Sequence, residues 1–243
     1  MKRNRIIELP LQDINAIEQI LVSSTFKPYR YIAGGIEKEL TEFWLNRIIN
    51  SITVNQAKVF AVVSGSKPVG FISISELPWD SKIFKIPMSS ITELVIDSNQ
   101  NNKYEIANAL IRQAIKSAKE SGYKFILCKC YSDDTINIHS LEHSGFLMVD
   151  TLLDYTVDLR KTPFNATYEQ SYPEGVLIRL AKPEDEEDLI QIANDAFRNH
   201  FGRYHSEPRF TKEQAVEVYV EWIRSSISGY ADYIILADIN GQI

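Results

Sequence analysis

Apolar positions switch repeatedly between helical spacing and short strand-like runs along the first part of the chain. Arg5 to Leu9 reads as a strand. Asp13 then has the character of an N-cap for a helix with Ile14, Ile17, Leu21 and Val22 on one face. A second helix is predicted from Glu37 to Ser51, with Leu40, Trp44, Ile48 and Ile49 at helical spacing. Val59 to Ser64 and Val69 to Ile74 are strands, and Gly65-Ser66-Lys67-Pro68 between them is a hairpin signal. Ile91 to Ile96 is another strand. It leads through Asn99-Gln100-Asn101-Asn102 into a long helix with Ile106, Leu110, Ala114 and Ala118 on one face, stopped by Gly122. Lys124 to Tyr131 is a strand, and Asp133-Asp134 caps a short helix ending at Ser144-Gly145. Phe146 to Leu159 reads as two closing strands. This order predicts an α/β (α+β) fold, a mixed and largely antiparallel sheet flanked by helices.

The pattern then begins again. Val176 to Leu180 followed by Pro183 to Ile190 mirrors Arg5 to Leu9 followed by Asp13 to Ile20. Trp222-Ile223-Arg224 mirrors Trp44-Leu45-Asn46-Arg47, and Ile234 to Ile243 mirrors Phe60 to Val69. Three matches in one order predict an internal repeat, of which the second copy is partial. Charge marks the join. Residues 1–161 carry 19 basic and 18 acidic side chains, and residues 162–243 carry 7 and 14. The expected organisation is a domain over 1–161, a Pro- and Gly-punctuated linker over 162–175, and half a domain over 176–243.

Composition narrows the function. A net charge of −6 leaves no basic footprint for nucleic acid. No apolar run approaches the ~18 residues of a membrane span, so no membrane partner is expected. The apolar run after the basic start is only Ile6-Ile7, too short for a signal peptide. Two cysteines without a secretory signal imply reduced thiols and a cytoplasmic location. Cys128 and Cys130 alternate with Lys129 and so face one side of their strand. Two thiols without further Cys or paired His make no zinc site, and no metal is expected. The five acids Glu184 to Asp188 suit the first turn of a helix.

Residues 58–159 resemble one copy of the GNAT superfamily of acyl-CoA-dependent N-acyltransferases. Lys67-Pro68-Val69-Gly70-Phe71-Ile72 resembles the turn into that family's third strand, and Glu93-Leu94-Val95-Ile96-Asp97 its fourth. His143-Ser144-Gly145-Phe146 is similar to its Gly-Phe ending. Trp79-Asp80-Ser81-Lys82-Ile83-Phe84, Leu141 to Leu159, Phe201 to Pro208 and Tyr219 to Ile223 resemble two-domain members of the dTDP-fucosamine N-acetyltransferase type. The resemblance implies acetyl-CoA as co-substrate and a small-molecule amine, such as an amino sugar, as acceptor. It implies cofactor contacts at Leu94, Val95 and Ile96 on the fourth strand, which supplies an N–H to polarise the acyl carbonyl, at Asp134, and at a phosphate loop over Asn102, Lys103, Tyr104, Glu105, Ile106 and Ala107.

The fit is partial. The family loop carries Gln or Arg where Asn102 stands, and Gly where Glu105 adds bulk and like charge. Asp134 replaces an Asn, and Leu141 occupies the position of the family's general-acid Tyr. Glu93 is the candidate base and Tyr131 the alternative acid. In the second copy Arg203, Tyr204 and His205 lie where the family shapes its acceptor site, and Arg203 could clamp a phosphate or carboxylate. In a longer chain that copy would carry catalysis. The competing expectation is a non-catalytic module that has lost CoA. Homo-oligomer formation through the incomplete second domain is also expected.

Overall fold

The computed structural model describes residues 5–31, 35–158 and 173–243. They form two units, Met1–Met148 and Val149–Ile243. The charge step at 161 and most of the expected linker lie outside the described residues.

In the first unit β1 (Arg5–Glu8), β2 (Lys58–Ser64), β3 (Lys67–Glu76) and β4 (Met88–Ile96) pair antiparallel in that order. β5 (Phe125–Cys128) adds parallel to β4. A parallel neighbour needs a crossover, here α4 (Lys103–Glu120). Strand alternation then feeds two cores. Phe60, Val62, Ile72 and Ile74 face α4 and α5 (Thr135–His143), where Ile106, Leu110 and Ala114 are buried. Val59, Ala61 and Phe71 face the opposite layer, α1 (Glu18–Ser23) and α2 (Glu37–Asn55), and pack on Ile17, Leu21, Trp44 and Ile48. The sheet is thus the apolar-on-both-faces middle layer that a mixed α/β fold requires.

The first helix departs from expectation. Leu11–Ile17 is 3₁₀, with Pro10 as N-cap and Asp13 inside the turn. Three residues per turn shift the phase of the stripe, so Ile20 is buried and Val22 is exposed. A short helix, α3 (Pro78–Phe84), has no counterpart in the apolar pattern. Pro78 opens it, and the Ser81 hydroxyl donates to Leu77 O at 2.6 Å and accepts from Met88 N–H at 2.9 Å. That hydroxyl therefore fixes the start of β4.

The two closing strands are not found. Residues 146–158 pair with no strand among the described residues. Leu147, Met148, Leu153, Tyr155 and Val157 are exposed. The alternation from Leu153 to Val157 suits a strand, but a strand lacking a partner edge leaves its backbone to water.

The second unit holds β6 (Val176–Leu180) and β7 (Ile235–Ile239), paired antiparallel, with α6 (Glu186–Phe197) and α7 (Lys212–Ser225) between them in sequence. This is the element order of β1, α1, α2 and β2. Arg179 binds the unit together. It donates to both carboxylate oxygens of Asp185, at 2.7 and 2.8 Å, and to Asp238 at 2.9 Å. Asp185 also accepts from Lys182 N–H at 2.7 Å. Thr211 and Gln214 form a capping box that starts α7.

Two predictions follow from this packing. A Cβ on Gly70 would sit 2.8 Å from Ile106 Cγ2 and 3.3 Å from Val95 O, so Gly70 sets how closely α4 approaches the sheet. Gly70→Ala is expected to cost about 1–3 kcal/mol in denaturant unfolding. Arg179 holds the Asp185 and Asp238 carboxyls below the ordinary range. Carboxyls lowered in the folded state stabilise it above their unfolded pKa, near ~3.9, and that contribution is lost as pH falls through the folded values. Hydrogen-exchange protection factors at β6 and β7, which correct for the intrinsic pH dependence of exchange, are expected to fall on acidification below about pH 4, and Arg179→Leu to flatten that dependence.

Candidate active site

The cleft begins where two strands part. β4 pairs with β5 only from Met88 and Phe125 to Ile91 and Cys128. β4 continues to Ile96, but the chain after Cys128 turns away through Lys129 to Asp134. The opening is a cleft of about 150 Å³. Its walls include Glu93, Leu94 and Ile96 from β4, Cys128 and Tyr131 from the other side, and Lys103 from α4.

A β-bulge decides what faces the cleft. Ser73 pairs with Glu93 and Ile74 with Ile91, so Thr92 is the extra residue. Ile91 packs in the α4-side core. Strict alternation would send Glu93 into that same apolar layer. The bulge reverses the phase, and Val95 joins the α2-side core instead. Backbone direction follows the same count. Asp97 N–H donates to Val69 O at 3.0 Å, so Val95 and Glu93 bond β3 while Leu94 and Ile96 turn their peptide groups into the opening. Leu94 O accepts there from Asn137 Nδ2 at 2.9 Å.

Glu93 has a side chain only 9% exposed. Trp44 Nε1–H donates to Oε2 at 2.8 Å, and Arg47 pairs with Oε1. Burial pushes the Glu93 carboxyl up from its usual value, against the lowering by Arg47 and Trp44. A raised carboxyl is a stronger proton acceptor than an ordinary one. Trp44 reads in the sequence as a core residue, which it also is; nothing in the pattern marks its indole N–H or Arg47 as partners of Glu93.

The expected phosphate loop is the N-terminus of α4. Asn102 is the N-cap without a side-chain capping bond, and Lys103 turns toward the cleft. Glu105 lies exposed in the first turn, where its charge already complements the helix dipole. Tyr104 is partly exposed, with its ring 6.1 Å from that of His143. Ile106 and Ala107 are buried in the core and offer no side chain to a ligand.

Opposite, Asp134 is the N-cap of α5. It accepts from Asn137 N–H at 3.2 Å and from Asn137 Nδ2 at 2.8 Å. Burial raises the Asp134 carboxyl. Asn137 Oδ1 is buried without a partner in the structure. Leu141 is buried on α5 and lines the cleft, a position that brings no proton donor. The Tyr131 hydroxyl donates to Lys27 O at 2.8 Å. Its ring stacks on Phe26 at 5.8 Å, and Arg30 lies over both rings while pairing with Asp133 at 2.8 Å. Lys27 in turn is buried and donates to Val22 O and Ser24 O, carbonyls at and beyond the end of α1. These contacts link the loop after α1 to the loop after β5 beside the cleft.

The second unit's candidates are described within that unit alone. The Arg203 guanidinium lies 4.5 Å over the Tyr204 ring and donates to its hydroxyl at 3.1 Å. Tyr204 is a core residue, 3% exposed. His205 Nε2 lies 3.1 Å from Phe197 O, and burial lowers its pKa. Among the described residues no group of three or more His, Cys, Asp or Glu is placed to hold a metal ion, and no helix is long and apolar enough to cross a membrane.

A mixed sheet with a bulged fourth strand, parted from the fifth ahead of a helix N-terminus, is the architecture of an acyl-CoA-dependent acyltransferase. The sequence profile of the acetyltransferase (GNAT) family matches residues 16–146, and the chain belongs to that family. It is 23% identical over 214 residues to the spore coat polysaccharide biosynthesis protein SpsD of Bacillus subtilis (strain 168), spanning 87% of this chain and 69% of that protein. A putative acetyl transferase from Pyrococcus furiosus shares the fold, with TM-score 0.50 and 19% identity, over 64% of this chain and all (100%) of that one. A paia N-acetyltransferase from Thermoplasma acidophilum in complex with coenzyme A aligns with TM-score 0.46 and 18% identity, over 61% of this chain and 92% of that one.

The two thiols in the cleft differ. Burial, with Cys130 and Glu93 nearby, pushes the Cys128 thiol up to about 12, whereas Cys130 is exposed. Iodoacetamide at pH 8 is expected to alkylate Cys130 first, read by peptide mass. Comparable labelling of Cys128 in the folded protein would contradict its burial.

Proposed function

We propose that the first unit transfers the acetyl group of acetyl-CoA to the primary amine of a small molecule, an amino sugar, with Glu93 as general base. The observation that carries this is a raised carboxyl beside the peptide groups of a parted strand. Acetyl-CoA supplies an acyl carbon bonded to a thiolate leaving group. The N–H groups of Leu94 and Ile96 would hold its pantetheine arm as a missing strand would be held, and Lys103 its phosphates. Glu93 would take the proton released as the amine nitrogen bonds the acyl carbon. Tyr131, kept protonated by burial, would release Lys27 O and give its proton to the departing sulfur. The polysaccharide role in SpsD's name supports an amino-sugar acceptor.

The element order of Val176–Ile243 supports its reading as the first half of a second copy, in which Arg203, beside Tyr204 and His205, would bind a phosphate or carboxylate at that copy's own site. A second reading, a module without catalysis, draws support from Glu105 at the phosphate loop and Leu141 at the acid position.

The two readings separate in one set of measurements. Acetyl-CoA at 100 times its dissociation constant is expected to stabilise the chain by about 2.7 kcal/mol in thermal unfolding. With glucosamine as acceptor, Glu93→Gln is expected to lower kcat roughly 100-fold or more in a thiol-release assay. Absence of both effects would favour the non-catalytic reading.

A further inference from the structure

Glu93 is held by two groups of opposite character. Trp44 is 2% exposed and sits in the α2-side core. Its indole N–H has one direction, set by packing, and it fixes Oε2. Arg47, one helical turn further along α2, has a side chain 46% exposed and reaches Oε1 from the solvent side. No second partner anchors the Arg47 guanidinium among the described contacts. The carboxylate thus has a fixed donor on one oxygen and a removable cation on the other.

An acceptor amine arrives in water as an ammonium ion. It is a compact cation with three N–H donors, and Glu93 can deprotonate it only if the two meet. The position that an ammonium would take on Oε1 is the one Arg47 fills. The geometry points to Arg47 as a displaceable counter-ion, a positioning residue that pairs with Glu93 in the empty enzyme and gives way to the acceptor's ammonium. The exchange trades one cation for another, so the carboxylate stays paired throughout while Trp44 keeps its orientation. A neutral acceptor, such as a hydroxyl, could not displace Arg47, and this contact therefore selects amines. The inference rests on the reading of Glu93 as base.

The groups facing Glu93 from each packed element are Arg47 and Trp44 on α2, and Cys128 and Tyr131 on and after β5; Ser73, opposite on β3, is uncharged. The Trp44 indole N–H resonance, assigned by its loss in Trp44→Phe, reports the Glu93 charge through their hydrogen bond. Its pH titration is expected to move up by about 1–3 pH units in Arg47→Met, because an opposite charge at contact lowers a carboxyl by that much. Arg47→Lys is expected to restore most of the shift. Saturating glucosamine, compared with NaCl at equal ionic strength, is expected to bring the Arg47→Met titration back down and to leave the wild type nearly unchanged. A titration indifferent to Arg47→Met, or one in that variant that glucosamine moves no more than NaCl does, would overturn the proposal. Failure of the base reading is separate: Glu93→Gln would then keep its acetyl transfer, whatever the resonance shows.

Discussion

The first unit's cleft depends on a hydrogen-bonded ladder that stops. β4 and β5 pair over four residues and then diverge, and Glu93, Leu94, Ile96 and Tyr131 all lie beyond that point. A parallel pair has no hairpin to force its register to the end of the strands. Here the α4 crossover and the α5 cap at Asp134 hold the two chain directions apart. The peptide groups of Leu94 and Ile96 are thereby left as a half-finished sheet edge. In most proteins such an edge is a hazard to be covered. In this unit it opens on the cleft.

The bulge at Thr92 complements that edge. A period of two cannot place Ile91 in one core and Val95 in the other. One inserted residue resolves the conflict and sets a carboxylate at the border between an apolar layer and the cleft. The raised carboxyl, the indole bond and the guanidinium contact all derive from this local change of phase. Burial, which ordinarily disfavours the ionised form, is balanced against two donors.

The order of elements was legible because helices and strands of this length bury one stripe or one face, and their periods survive in the sequence. Leu110, Ala114, Ile72 and Trp44 lie where the periodicity places them. The phase error at Val22 has a local cause: the apolar pattern does not distinguish a 3₁₀ turn from an α-helical one until the stripe drifts. α3 opens on a proline, is held by a serine hydroxyl and buries Phe84, but carries no repeating stripe and so leaves no periodic trace. The strand character of Phe146 to Leu159 is real in composition, but pairing is a property of two segments, and no described strand meets it. The site was half legible. Glu93, Lys103 and Asp134 come to the cleft as their positions implied, whereas Ile106 and Ala107 turn inward because the helix phase serves the core first. Trp44 and Arg47 were invisible as site residues, since their contact with Glu93 spans 46 to 49 residues and one of them is also an ordinary core side chain.

The depth of Cys128 has one more consequence. A thioester held in this cleft beside a cysteine would invite exchange, in which the protein's own sulfur captures the acyl group and blocks turnover. Exchange requires a thiolate. With its pKa near 12, Cys128 is protonated at any physiological pH and is a poor competitor for the acyl carbon. The burial that raises the Glu93 carboxyl also raises this thiol. Of the two thiols that line the cleft, burial thus quiets Cys128 and leaves the exposed Cys130 as the reactive one.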